Sequence, residues 1–171
     1  MATSIYSAVG ELVGEGAEGI TFRRIALRAG VNPTTLYRRW SDVNALLEEV
    51  AVAALTRDGE SPADTGSIES DLIEWATVIA QDIGRPERAR FLRAMAGARI
   101  ELVSNCAITD ARRRQAEEVL RRAEKRGEPT PTVEQILDHV IAPLYYRVVF
   151  ALPVDAEQPR RLVRDVLAMS S

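Results

Sequence analysis

The chain has 171 residues, 46% of them apolar but only 5% aromatic, with one Cys and a formal net charge of −3. A single thiol, Cys106, excludes a disulfide framework and fits a reducing cytoplasm. No apolar run approaches the roughly 18 residues of a membrane span, and the opening MATSIYSAVGEL lacks the basic start and long apolar stretch of a signal peptide. Ala, Leu and Val dominate and alternating β-branched runs are missing, so an all-α, soluble, cytoplasmic protein is expected.

Ile5, Val9, Leu12 and Val13 repeat at helical spacing, which predicts a short amphipathic helix stopped by Gly16. Thr21 can cap a second helix whose Phe22, Ile25, Ala26 and Ala29 share one face. Gly30 supplies a tight turn. Asn32 is then a good N-cap and Pro33 suits the first helical position, where its missing N–H is not needed. Leu36 and Trp40 point this brief third helix inward. Ser41 or Asp42 restarts the chain into a fourth helix with Val43, Leu46, Leu47, Val50 and Leu55. The polar stretch from Arg57 to Ser70 reads as a loop. Beyond it, Leu72, Trp75, Ala76, Ile79 and Ile83 form one stripe, and Pro86 opens a helix carrying Phe91, Met95 and Ile100. Asp110 to Arg126 is a long charged helix with a narrow stripe (Ala116, Val119, Leu120, Ala123) ended by Gly127. Thr132 caps VEQILDHVIAPLYYRVVFAL, a helix apolar on most sides and therefore buried on most sides, in which Pro143 predicts a kink or local loosening. A last helix runs roughly from Gln158 to Met169.

Charge is unevenly spread. Five arginines and no acid lie between Thr21 and Trp40, while the other 151 residues carry 17 basic and 25 acidic side chains. An acidic body with one basic patch points to a local polyanion contact. Two short helices joined through Ala29-Gly30-Val31, the second opening Asn-Pro-Thr-Thr, make a helix-turn-helix pattern. A short helix entering the major groove end-on needs small hydrogen-bonding side chains in its first turn. Thr34 and Thr35 supply hydroxyls and methyls for base edges. Tyr37 can reach a phosphate, and Arg38 and Arg39 a phosphate or a guanine.

Those residues carry a resemblance. IYSAVGELVGEGAEGITFRRIALRAGVNPTTLYRRWSDVNALLEEV is similar, without a gap, to the DNA-binding domain of the tetracycline-repressor (TetR) family, through its T-x-x-x-I-A-x-x-A-G-V and A-G-V-x-x-x-T-L-Y-x-x-[FW] segments. From Ala111 to Leu167 the chain resembles the C-terminal region of one branch of that family. The resemblance implies a helix-turn-helix domain at residues 1–47 and a larger helical ligand-binding and dimerisation domain at 48–171, about nine helices in all. It implies that Pro33, Thr34 and Thr35 approach bases, that Tyr37 holds a phosphate, that Arg38 and Arg39 lie along the groove, and that Thr21, Arg23 and Arg24 touch backbone. Two departures stand out: Val43 occupies the place of a phosphate-gripping Lys or Arg, and only Met1 to Ser4 precede Ile5, where many members carry a basic arm. Both changes weaken nonspecific DNA affinity by removing counterion-releasing contacts.

The resemblance also implies a homodimer. The breadth of the apolar surface from Val133 to Leu152 supports one independently, with Leu144, Val148, Leu152, Leu162, Val166 and Leu167 assigned to the interface and intrachain core as the alternative for each. Trp75, Ile79, Phe91, Met95, His139 and Tyr145 are candidate lining for a small-molecule effector, with plain core packing as the blander reading. No metal-ligand spacing, GxSxG, P-loop or dinucleotide fingerprint occurs, so neither catalysis nor a cofactor is expected. The expected function is a ligand-responsive repressor that binds a pseudo-palindromic operator in double-stranded DNA as a dimer. The alternative is a helical small-molecule- or protein-binding dimer of the same fold whose DNA binding is weak or lost.

Overall fold

In the computed structural model, which describes residues 2–15, 19–57, 61–98 and 107–169, every regular element is helical. Helix α1 (Ala2–Gly14) buries Ile5, Val9, Leu12 and Val13. The stop expected at Gly16 lies outside the described residues. Helix α2 (Phe22–Ala29) begins where the Thr21 hydroxyl accepts the Arg24 N–H, and it buries Phe22, Ile25 and Ala26. Gly30 turns the chain at φ 66°, a left-handed conformation open to a residue without Cβ. Helix α3 (Pro33–Arg39) starts with Asn32 accepting the Thr34 N–H at 2.9 Å and ends at Trp40. Helix α4 (Val43–Arg57) starts on Asp42, whose carboxylate accepts the Ala45 N–H at 2.9 Å. The acid after α3 is therefore a helix cap, which explains its presence in an otherwise basic neighbourhood.

Helix α5 (Ile68–Gly84) starts earlier than expected, because Ser67 rather than Ser70 caps it. The loop ahead of it is tied down by charge. Asp71, with no exposed surface, accepts Thr65 through backbone and hydroxyl at 2.6 Å and pairs with Arg126 at 3.1 Å. Burial pushes the Asp71 carboxyl up, but those bonds and the Arg126 charge outweigh it and hold the group below its ordinary range. Arg122 donates to the carbonyls of Pro62 and Ala63, closing the loop onto the end of the later helix Ala107–Lys125.

Helix α6 (Pro86–Ala98) packs against α1, α5 and the later helix Ala142–Val149. Ile100 and Cys106 lie outside the described residues. Helix α7 (Ala107–Lys125) begins one turn before Asp110 and buries Ala116, Val119, Leu120 and Ala123 as the stripe predicts. Helices α8 (Val133–Ile136) and α9 (Ala142–Val149) form one helical run through a π turn at Leu137–Ile141. Thr132 and Gln135 make a reciprocal capping box at its start. Pro143 produces the loosening expected of it. A regular helix would drive its ring against the carbonyl four residues back; here the preceding turn is widened, and the Ala142 N–H reaches Leu137 O, five back. The run ends at Val149, short of Leu152. Ala151 stands at φ 54°, and the Leu152 N–H closes on Arg147 O at 2.7 Å. Helix α10 (Gln158–Ala168) packs on α5 and the π turn through Val163 and Val166. Counting α8 to α9 as one run, nine helical segments are described. None is long and apolar enough to cross a membrane.

Candidate nucleic-acid interface and effector cavity

The α3 periodicity divides its residues cleanly. Leu36 and Trp40, four apart, are buried, while Thr34, Tyr37 and Arg38 share the opposite, exposed face with Pro33 ahead of them. Thr35 is half-buried at the margin. The Tyr37 ring is 65% exposed and meets the edge of Phe22 at 4.9 Å, so the phenol sits beside the start of α2. That contact brings the α3 surface next to exposed Thr21, Arg23 and Arg24. Tyr37, Arg23 and Arg38 make no hydrogen bond or ion pair with any described residue. Arg24 reaches back to the Gly19 carbonyl at 3.3 Å.

The acid-free sequence segment is not acid-free in space. Arg28 is bound by Glu15 at 2.7 Å and Glu11 at 3.2 Å, both on α1. The hydrogen bond from Arg28 holds the Glu15 carboxyl below its usual range and raises the guanidinium in turn. Arg39, expected along the groove, lies over the Trp40 ring at 4.6 Å and pairs with Glu49 of α4 at 2.7 Å. Glu49 gathers three donors: its Oε1 accepts Arg39 and the Tyr6 hydroxyl, and its Oε2 accepts the Trp40 indole N–H at 2.8 Å. Burial alone would push this carboxyl up, but the bonds from Tyr6 and Trp40 and the Arg39 charge bring it below the ordinary value. One carboxylate thus fastens α1 and the end of α3 to α4. Arg23 and Arg38 make no ion pair with any described residue, and they lie on the side where Thr34 and Tyr37 are exposed.

The larger half contains a cavity of about 460 Å³ between α7 and the α8–α9 run, lined by Ile108, Arg112, Leu137, Ile141, Ala142 and Tyr145 among others. Of the expected lining residues it includes only Tyr145. Trp75 is buried one layer behind, its indole donating to Gln115 Oε1 at 3.2 Å. Ile79 is core, and His139 is exposed on the outer side of the π turn. Phe91 instead borders a smaller cavity of about 280 Å³ between α1, α4 and α6. The Met95 side chain lies outside the described residues. Arg112, absent from the sequence expectations, is 5% exposed and donates to Tyr145 and Gln115. Periodicity could have found it: position 112 extends the stripe of 116, 119, 120 and 123 back by one turn. No cluster that could hold a metal ion occurs among the described residues.

Of the residues assigned to a dimer interface, Leu144 and Val166 have no exposed surface within one chain and Val148 has little, so they belong to the intrachain core. Leu162 and Leu167 are half-buried. Leu152 is 41% exposed, and it neighbours two exposed rings that the sequence left unassigned, Tyr146 and Phe150, with centroids 4.6 Å apart.

Residues 5–50 match the model for bacterial regulatory proteins of the tetR family, and residues 62–166 match the tetracyclin repressor-like C-terminal domain. The chain belongs to the TetR family of bacterial regulatory proteins. It is 36% identical over 118 residues to the HTH-type transcriptional regulator AqdR of Rhodococcus erythropolis, an alignment covering 66% of this chain and 56% of that one. It is 28% identical to the DNA-binding transcriptional repressor TetR of Mycobacteroides abscessus, over 91% of this chain and 85% of the relative. Among solved structures, the TetR family transcription regulator SCO0332 superposes with a TM-score of 0.73 at 29% identity, covering 97% of this chain and 96% of that one. A TetR-family regulator from Mesorhizobium loti shares the fold, with a TM-score of 0.60 at 14% identity over 98% and 93% of the two chains.

Proposed function

We propose that the chain is a dimeric, ligand-responsive transcription repressor that reads a pseudo-palindromic operator through α3. The observation that carries this reading is the exposed face of α3. The Thr34 and Tyr37 hydroxyls make no hydrogen bond with any described residue there, and Arg23 and Arg38 flank them, while Leu36 and Trp40 anchor the helix from behind. Thr34 and Thr35 meet base edges, and Tyr37, Thr21, Arg23, Arg24 and Arg38 hold phosphates. A second copy covers the exposed rings of Tyr146 and Phe150 with Leu152, and the two-fold sets a pair of α3 helices to adjacent half-sites. An effector in the cavity beside α7 favours one spacing of those helices and so changes operator affinity.

The neutralisation of Arg28 and Arg39 by acids of α1 and α4 favours a second reading, a dimer of this fold with weak DNA binding. Selection from a random duplex pool at low salt decides between them. The repressor reading requires a palindromic product, a log–log fall of affinity with salt, and a changed base preference at one half-site position in Thr35→Ala. Absence of any selected sequence, with no dependence on salt, refutes it.

A further inference from the structure

We propose that the cavity between α7 and the α8–α9 run takes a small amphipathic monoanion, a carboxylate on an apolar body, held by Arg112 and Tyr145. The proposal rests on the ligand-responsive reading and names the chemistry of its effector.

Arg112 is the anomaly that leads there. A guanidinium this deeply buried is normally paired with a carboxylate, because burying an uncompensated charge is costly. Arg112 forms no ion pair with any described residue. Its acceptors are neutral: the Tyr145 hydroxyl takes Nε and Nη2, each at 3.2 Å, and Gln115 Oε1 takes Nη1 at 2.9 Å. A guanidinium has five N–H donors, so one on each Nη is left over. Tyr145 Oη already accepts twice, and its own proton meets no acceptor among the described residues. Both side chains line the cavity. Unused donors on a buried positive charge are complementary to a carboxylate, which accepts from a guanidinium fork in two parallel bonds.

The surroundings narrow the ligand further. Ile108, Leu137, Ile141 and Ala142 give the wall an apolar part, and about 460 Å³ suits a small organic molecule. The other charges facing the cavity are Arg113 and Glu134, which neutralise one another, and Asp138, exposed on the π turn. One unit of negative charge balances Arg112. A doubly charged phosphate would leave excess negative charge beside Asp138, and an ammonium group placed at Arg112 would meet like charge. The recognition pair is also held in place before any ligand arrives. Trp75 of α5 orients Gln115, which orients Arg112, which meets Tyr145 of α9, so occupancy of one cavity acts on three helices.

Calorimetric titration of the full chain with benzoate, 2-naphthoate and decanoate, each against its primary amide, tests the proposal. At least one acid binds saturably and at least tenfold more tightly than its amide. Arg112→Gln erases that preference while amide affinity shifts less than twofold, and Tyr145→Phe costs the acid three- to tenfold. Equal binding of acids and amides, no binding by any acid, or an acid preference that survives Arg112→Gln overturns it. Should Arg112→Gln fail to fold, unchanged acid affinity in Tyr145→Phe overturns it equally. Operator binding is read separately. An acid that binds without releasing operator DNA leaves the carboxylate site standing and refutes the ligand-responsive reading, whereas operator binding with an indifferent cavity does the reverse.

Discussion

Replacing Glu49 isolates the fastening of α3, and its cost follows from the three donors it holds. In Glu49→Ala the Trp40 indole N–H, on a residue only 4% exposed, loses its acceptor. An unsatisfied buried donor costs about 1–3 kcal/mol. The half-buried Tyr6 hydroxyl can turn toward water and loses about 0.5–1 kcal/mol. The exposed Arg39 pair adds about 0–1 kcal/mol, since the guanidinium keeps its stacking on Trp40. The total, about 1.5–5 kcal/mol, lowers Tm by roughly 3–20 °C for a chain of this size. Glu49→Gln retains a carbonyl acceptor and loses about 1 kcal/mol. The pH dependence has a definite sign. The folded carboxyl lies below its ordinary value of 4.5, so its contribution is present above that pH and is lost as pH falls through the folded value. Far-UV circular dichroism melts at fixed protein concentration measure both effects. A Glu49→Ala Tm within 1 °C of the parent at neutral pH, or a Glu49→Gln difference that does not shrink below about pH 4.5, refutes the reasoning.

Tyr37→Phe keeps the ring contact with Phe22 and removes a hydroxyl with no described partner, so stability stays within about 0.5 kcal/mol. Affinity for every DNA sequence falls about tenfold, with the salt slope unchanged because the lost group is neutral; fluorescence anisotropy across a salt series checks this. Ala151 carries a side chain in the left-handed region, so Ala151→Gly stabilises by about 1 kcal/mol and raises Tm by roughly 2–4 °C in the same melting assay.

The helix-turn-helix was legible because its determinants are local. A cap such as Thr21 or Asn32 bonds a backbone N–H two or three residues on, and Gly30 meets a conformational demand of its own turn. The Pro143 distortion was legible for the same reason, although not that the widened turn would fall just ahead of it. The sequence left Leu144, Val148 and Val166 open between interface and intrachain core, because a helix apolar on most sides carries no mark of which stripe meets its own core. Leu144 and Val166 went inward and Tyr146 and Phe150 outward. Arg112 was hidden among three consecutive arginines, of which helical geometry turns one toward the interior.

By itself, then, the sequence determined the all-helical class, the caps and turns, and a basic segment fit for DNA, since each depends on residues close along the chain. Only tertiary structure decided how that charge is spent. Glu11, Glu15 and Glu49 lie 10 to 17 residues from the arginines they bind, a separation no local pattern encodes. Packing α1 against α2 and α4 places those acids on Arg28 and Arg39, and it leaves Arg23 and Arg38 beside the exposed face of α3.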